Sequence, residues 1–122
     1  MEEEQQATKL KTKCTLCGLC KFSCPAYKVL FDEAVSPRGK AVMLKSNIPS
    51  KHLHVCTLCK ACENVCTVPG IDLVSKIRKS RESMVKAGNE TEAGKRLMEN
   101  IRQHGTCMGK LDDSKKIDVW EC

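Results

Sequence analysis

Apolar residues in the second half of the chain recur with helical spacing. In the segment IDLVSKIRKSRESMVKAG, Ile71, Val74, Ile77, Met84 and Val85 fall on or near one face, which predicts an amphipathic helix stopped at Gly88. A second run over residues 90–104 sets Ala93, Leu97, Met98 and Ile101 at i, i+4, i+5 and i+8, and Gly105 closes it. Nearer the N-terminus the pattern is shorter. Pro25 opens PAYKVLFDEA, in which Tyr27, Val29, Leu30 and Phe31 make a brief apolar face. Ser36 and Pro37 read as N-cap and first helical residue of PRGKAVMLK, and Asn47-Ile48-Pro49-Ser50 breaks that helix. No strand-like alternation of useful length occurs, so the expected class is all-α. The first dozen residues carry no strong stripe, and the final segment, TCMGKLDDSKKIDVWEC, shows little periodicity.

Two stretches break the helical pattern. CTLCGLCKFSC (residues 14–24) and CTLCKACENVC (residues 56–66) each place four cysteines at C-x2-C-x2-C-x3-C, too densely for a helix stripe. Composition makes these thiols matter. The chain has 122 residues, ten of its hydrophobic positions are cysteine and only four are aromatic. An aliphatic core this thin calls for a staple, either disulfides or metal. The opening residues, MEEEQQATKLKTK, lack the basic start, apolar run and cleavage site of a secretory signal. No apolar run approaches the length of a membrane span. A reducing, cytoplasmic compartment is therefore expected, and there dense cysteine binds metal rather than forming disulfides. The formal charge of +6 is dispersed along the chain, which fits an ordinary solvated surface rather than a nucleic-acid footprint.

A C-x2-C pair delivers two thiolates from one turn, and a third cysteine two residues on can join the same site. The fourth, after three residues and often before proline, serves the other cluster; this is the run of bacterial two-cluster ferredoxins. Cys24-Pro25 keeps the proline, whereas Cys66-Thr67 delays it to Pro69. Two blocks thus supply ligands for two [4Fe–4S] clusters: Cys14, Cys17, Cys20 and Cys66 for cluster 1, and Cys56, Cys59, Cys62 and Cys24 for cluster 2. Each cluster then ties the two halves together, and its assembly becomes part of folding. With every iron carrying a cysteine, single-electron transfer is favoured over catalysis, and no catalytic residue is assigned. Part of the lysine surplus becomes counter-charge to the clusters. The competing layout, a zinc-stapled binding module with a basic surface, normally separates its cysteine pairs by a spacer.

With these residues in view, the chain resembles the α-helical ferredoxin family. Its nearest likeness is to the small iron–sulfur subunit of heterodisulfide reductase and to the glycolate and lactate oxidase iron–sulfur subunits. The resemblance is carried by Cys24-Pro25, Ser36-Pro37-Arg38-Gly39-Lys40, the second cysteine block, Gly70-Ile71-Asp72 and the helix beginning IRKSR, over about residues 10–106. It implies a ferredoxin domain over residues 1–106 and an irregular tail over 107–122. In that family the domain wires a flavin- or ferredoxin-linked protein to a catalytic partner bearing CCG motifs. No C-C-G occurs in this sequence, so the resemblance implies a non-catalytic electron-transfer subunit of an anaerobic oxidoreductase complex. The implied partner is a protein like the CCG-bearing catalytic component of heterodisulfide reductase, without nucleic acid or a membrane span.

Other features carry less. Arg38 has two open roles, a hydrogen-bond donor near a cluster or a helix residue with a structural partner. His52 and His54 precede a complete ligand set and read as surface or core histidines. GNETEAGK (residues 88–95) has the wrong glycine spacing for a phosphate loop and no preceding strand. Cys107 and Cys122 read as spare thiols. Ile117, Val119 and Trp120 form an apolar cluster on the irregular tail and suggest a docking segment. Deleting residues 111–122 is expected to abolish co-purification of the partner; unchanged recovery in a pull-down would remove that role.

Overall fold

The computed structural model describes residues 14–110, so the tail residues Ile117, Val119 and Trp120 and the thiol of Cys122 lie outside the described residues. Among the described residues five helices follow in order: α1 (Pro25–Leu30), α2 (Pro37–Lys45), α3 (Ala61–Asn64), α4 (Leu73–Lys86) and α5 (Glu92–His104). Between them run 3₁₀ turns at Leu19–Ser23, Glu33–Val35 and Lys51–Val55. The described residues contain no strand, as expected of an all-α chain. None of their helices is long and apolar enough to cross a membrane. The chain divides between Asn89 and Glu90 into two compact units, and α5 belongs to the second.

Local capping explains where the helices begin. The Ser36 hydroxyl accepts from the Gly39 N–H at 2.9 Å, and Pro37 takes the first helical position, where no N–H is needed. Thr91 caps α5 in the same way, accepting from Gly94 N–H at 3.2 Å. Gly105, in the left-handed region, ends that helix by donating to the Ile101 carbonyl. The start of α4 is different. Asp72 makes no side-chain cap, and the Val74 N–H is met instead by Glu63, at 2.7 Å, from inside the second cysteine block.

In the first unit, α2 packs on α4. Ala41 and Leu44 from α2, Leu53 from the turn Lys51–Val55, and Leu73, Ile77 and Met84 from α4 form the buried core. Val74, Ile77 and Met84 face inward as their spacing predicts, while Val85 is 44% exposed. The short apolar face expected on α1 turns outward: Val29 and Phe31 are each 78% exposed. Six residues are too few for a full two-turn stripe, and Phe31 leaves the helix in a left-handed conformation.

The approach of α2 to the turn before it is unusually close. A Cβ on Gly39 would sit 2.0 Å from the Glu33 carbonyl oxygen, closer than any side chain tolerates. Glu33 also gathers the surrounding charges. Its carboxylate meets Lys21 at 2.5 Å and Arg38 Nε at 2.7 Å, and accepts from the Ser36 hydroxyl. Lys21 first, then Arg38 and Ser36, hold its pKa down at about 2. The first cysteine block is thereby fastened to the start of α2. Gly39→Ala is expected to destabilise the protein by about 1–3 kcal/mol, the range for overpacking a filled site. Anaerobic thermal or denaturant unfolding checks this, and an unchanged midpoint would contradict the packing described.

Candidate metal centres

Both cysteine blocks rest on the core, with Cys14, Leu16, Cys56, Leu58 and Cys62 packed against it. Their backbones repeat as closely as their sequences. Leu16 and Leu58 take left-handed φ values of 59° and 58°, and so do the residues after the second cysteine, Gly18 at 85° and Lys60 at 62°. Leucine and lysine adopt that region at a cost of roughly 1–2 kcal/mol each, so the rest of the turn must hold them there. A basic side chain from a later helix clamps the first cysteine of each block. Lys45 of α2 donates to the Cys14 carbonyl at 2.8 Å. Arg81 of α4 donates to the Cys56 and Leu53 carbonyls.

The turn shape controls the thiols. The backbone N–H of Leu19, followed by the Thr15 hydroxyl, holds the Cys17 thiol below its ordinary pKa. Ala61 N–H and the Thr57 hydroxyl do the same for Cys59, with the charge of Lys40 adding to them. Cys17 and Cys59 are also the exposed members of their blocks. Burial raises Cys20, and the nearby Cys14, Cys17 and Cys66 raise it further. Burial likewise pushes Cys62 up to about 12, with Cys20, Cys56, Glu63 and Cys24 contributing.

Two cavities separate these groups. Cys14, Cys17, Cys20 and Cys66 line the first, and Cys24, Cys56, Cys59 and Cys62 line the second; Cys62 also reaches the first. The fourth cysteine of each block therefore lies with the first three of the other. Pro37 and Leu73 form walls common to both cavities, Arg38 lines the first and Lys40 the second. Among the described residues, no three His, Cys, Asp or Glu side chains converge on the position of a single metal ion. The thiols instead stand around the two spaces. Soft thiolates are the donors that suit iron–sulfur clusters, so the chemistry of each set fits such a group.

Arg38 has the structural partner open to it, pairing with Glu33, and its side chain also lines the first cavity. His52 and His54 line neither cavity. His54 has its Nε2 buried without a hydrogen-bond partner, and burial, then the Arg81 charge, lowers its pKa. Cys107 is exposed, and its carbonyl accepts from Asn100. Sequence reasoning missed Lys40 and Glu63. Lys40 precedes Leu44 by four residues and so shares its helical face. Glu63 carried no signal, because its capping contact joins residues eleven apart.

Residues 11–71 match the family described as the 4Fe-4S dicluster domain. A curated relative, the glycolate oxidase iron-sulfur subunit of Escherichia coli (strain K12), is 32% identical over 69 residues. That match takes in 50% of this chain and 17% of the relative, so the chain spans less than a fifth of the relative's length.

The thiol environments set an order of reactivity. In the reduced, metal-free chain, Cys17 and Cys59 are expected to alkylate first among the eight block cysteines, at the lowest pH, because their thiolates are the stabilised ones. Cys62 is expected to react last and to need strongly alkaline pH. Timed iodoacetamide labelling read by peptide mass spectrometry checks the order, and Cys62 reacting alongside Cys59 would contradict it.

Proposed function

The chain belongs to the 4Fe-4S dicluster domain family, and from that premise we propose that it is the small electron-transfer subunit of a larger oxidoreductase, similar to the small iron–sulfur subunit of heterodisulfide reductase. The family carries two [4Fe–4S] clusters and an iron–sulfur electron-transfer role. Held by four thiolates each, such clusters would supply uptake and release of one electron at a time. In this reading Cys14, Cys17, Cys20 and Cys66 hold one cluster, and Cys24, Cys56, Cys59 and Cys62 hold the other. The observation that carries the reading is the sorting of the eight thiols into two cavities along those lines.

The chain's own residues would then orient the ligands and tune them. Thr15, Thr57 and the N–H groups of Leu19 and Ala61 donate toward the Cys17 and Cys59 sulfurs, which favours thiolate and tempers its charge. Ile71, Leu73, Val74 and Ile77 give the cavities apolar walls. With four thiolates in each set, no position is left for a substrate, so the chain relays electrons and does not transform a substrate.

Two features support a subunit rather than a free carrier. Large apolar side chains are exposed along the first block and the helix that follows it, among them Leu19, Phe22, Val29, Leu30 and Phe31. Such concentration marks a contact surface. The matched relative is itself named as a subunit of an oxidase. The partner proposed is a protein bearing CCG-type cysteine motifs, or a flavin- or ferredoxin-linked protein, in the cytoplasm.

Anaerobically purified protein is expected to be brown and to bleach with dithionite. Cys24→Ser is expected to disturb the cluster of the second block, and Cys66→Ser that of the first, each leaving the other's paramagnetic signal intact. Iron and sulfide assays with electron paramagnetic resonance check both. A colourless zinc-loaded chain would replace this reading with a zinc-stapled module. A Cys24 variant that disturbs the first block's cluster instead would refute the crossing.

A further inference from the structure

Lys40 is the largest fully buried side chain in the described residues, only 1% exposed. Its Nζ donates to the Val35 carbonyl, and it forms no ion pair among the described residues. A buried ammonium satisfied by one carbonyl is costly unless an anion faces it. It shares its cavity with the thiol set Cys24, Cys56, Cys59 and Cys62, and with Lys60, which unlike Lys40 is an exposed side chain. Arg81 adds a second cation on that side, at the Cys56 carbonyl.

The first cavity is served differently. Its cation is Arg38, whose side chain is 39% exposed and neutralised by Glu33 at 2.7 Å. Water and a carboxylate therefore screen that charge, whereas neither screens Lys40. Reduction adds one negative charge to a site that is already anionic. A nearby unscreened cation stabilises the reduced form more than the oxidised one and raises the potential.

We propose that Lys40 is a potential-setting residue: its buried charge makes the cluster held by Cys24, Cys56, Cys59 and Cys62 the higher-potential of the two, so that an entering electron settles there. This rests on the ligand reading given above. The step transfers one electron from a one-electron donor, dithionite in the laboratory or a reduced flavin or iron–sulfur partner, and no bond is made or broken. Lys40 acts through the field it places on the cluster.

The test is anaerobic potentiometric titration of the full chain, followed by electron paramagnetic resonance, with iron and sulfide measured on the same samples. Cys59→Ser identifies which signal belongs to the second cavity. In the wild type that signal is expected to appear first on reduction. Lys40→Met and Lys40→Gln should each shift the electron's distribution between the clusters by about tenfold, or about 59 mV for one electron. Arg38→Gln should move either potential by less. Glutamine keeps a donor for Val35 without the charge, so a shift in Lys40→Met alone would assign the effect to the hydrogen bond and overturn the proposal. Intact clusters with unmoved potentials would also overturn it while leaving the ligand reading standing. Absence of iron and sulfide from the wild type would sink both. If neither Lys40 variant assembles, the wild-type order decides: a lower-potential second cluster refutes the proposal.

Discussion

The fold depends on the absence of a side chain at Gly39. Only a bare Cα lets α2 come down onto the Glu33 carbonyl, and every neighbour in the Ser-Pro-Arg-Gly-Lys run is set by that approach. Ser36 caps the helix from below, and Pro37 becomes a wall between the two cavities. Arg38 is turned toward Glu33 and the first cavity, while Lys40 is driven into the interior beside the second. A methyl group at position 39 would push against backbone, which cannot swing aside as a long side chain can. Five consecutive residues thus act as a single device, and its pivot is the smallest of them.

Around that pivot the two cysteine blocks are near copies in shape as well as sequence. Each carries a left-handed leucine, a threonine hydroxyl toward its second cysteine, and a basic clamp on its first carbonyl. The clamps come from α2 and α4, the same helices that form the core. Ligand geometry and hydrophobic packing are therefore coupled: displacing α4 moves Arg81 and with it the second block. Among the described residues the buried apolar set is small, eight side chains of which six form one cluster, which leaves a large part of the stabilisation to whatever joins the thiols. Crossed ligation suits that need, since each cluster would close a long loop and hold both blocks at once.

Much of this was legible because it is local. Capping residues are neighbours of what they cap, so Ser36-Pro37 located the start of α2 and Gly105 the end of α5. Cysteine spacing encodes which thiols share a turn. What stayed hidden was set by contacts distant along the chain. The capping of α4 by Glu63 is one case, and the clamp of Arg81 on Cys56 is another. Lys40 was obscured for a different reason: a lysine is taken as solvent-facing by default, although it shares a helical face with Leu44. The outward turn of Val29 and Phe31 was also illegible. Hydrophobic pattern reports that a face avoids water, but it does not say whether the covering surface belongs to the same chain.

Near-identity of the blocks carries a consequence for electron movement. Two sites with the same ligands, the same turn and the same hydroxyl donors would be nearly isoenergetic, and an electron would have no preferred resting place. Any inequality must then come from positions where the repeats differ, such as Gly18 against Lys60, and from residues outside them. The insert between them supplies one cation to each cavity, but under opposite conditions: Arg38 is exposed and paired, Lys40 buried and facing thiols. Both belong to one helical turn held in place by Gly39. The same close contact that lets the fold form would therefore make its two halves electrically unequal, turning a duplicated binding motif into a relay with a direction.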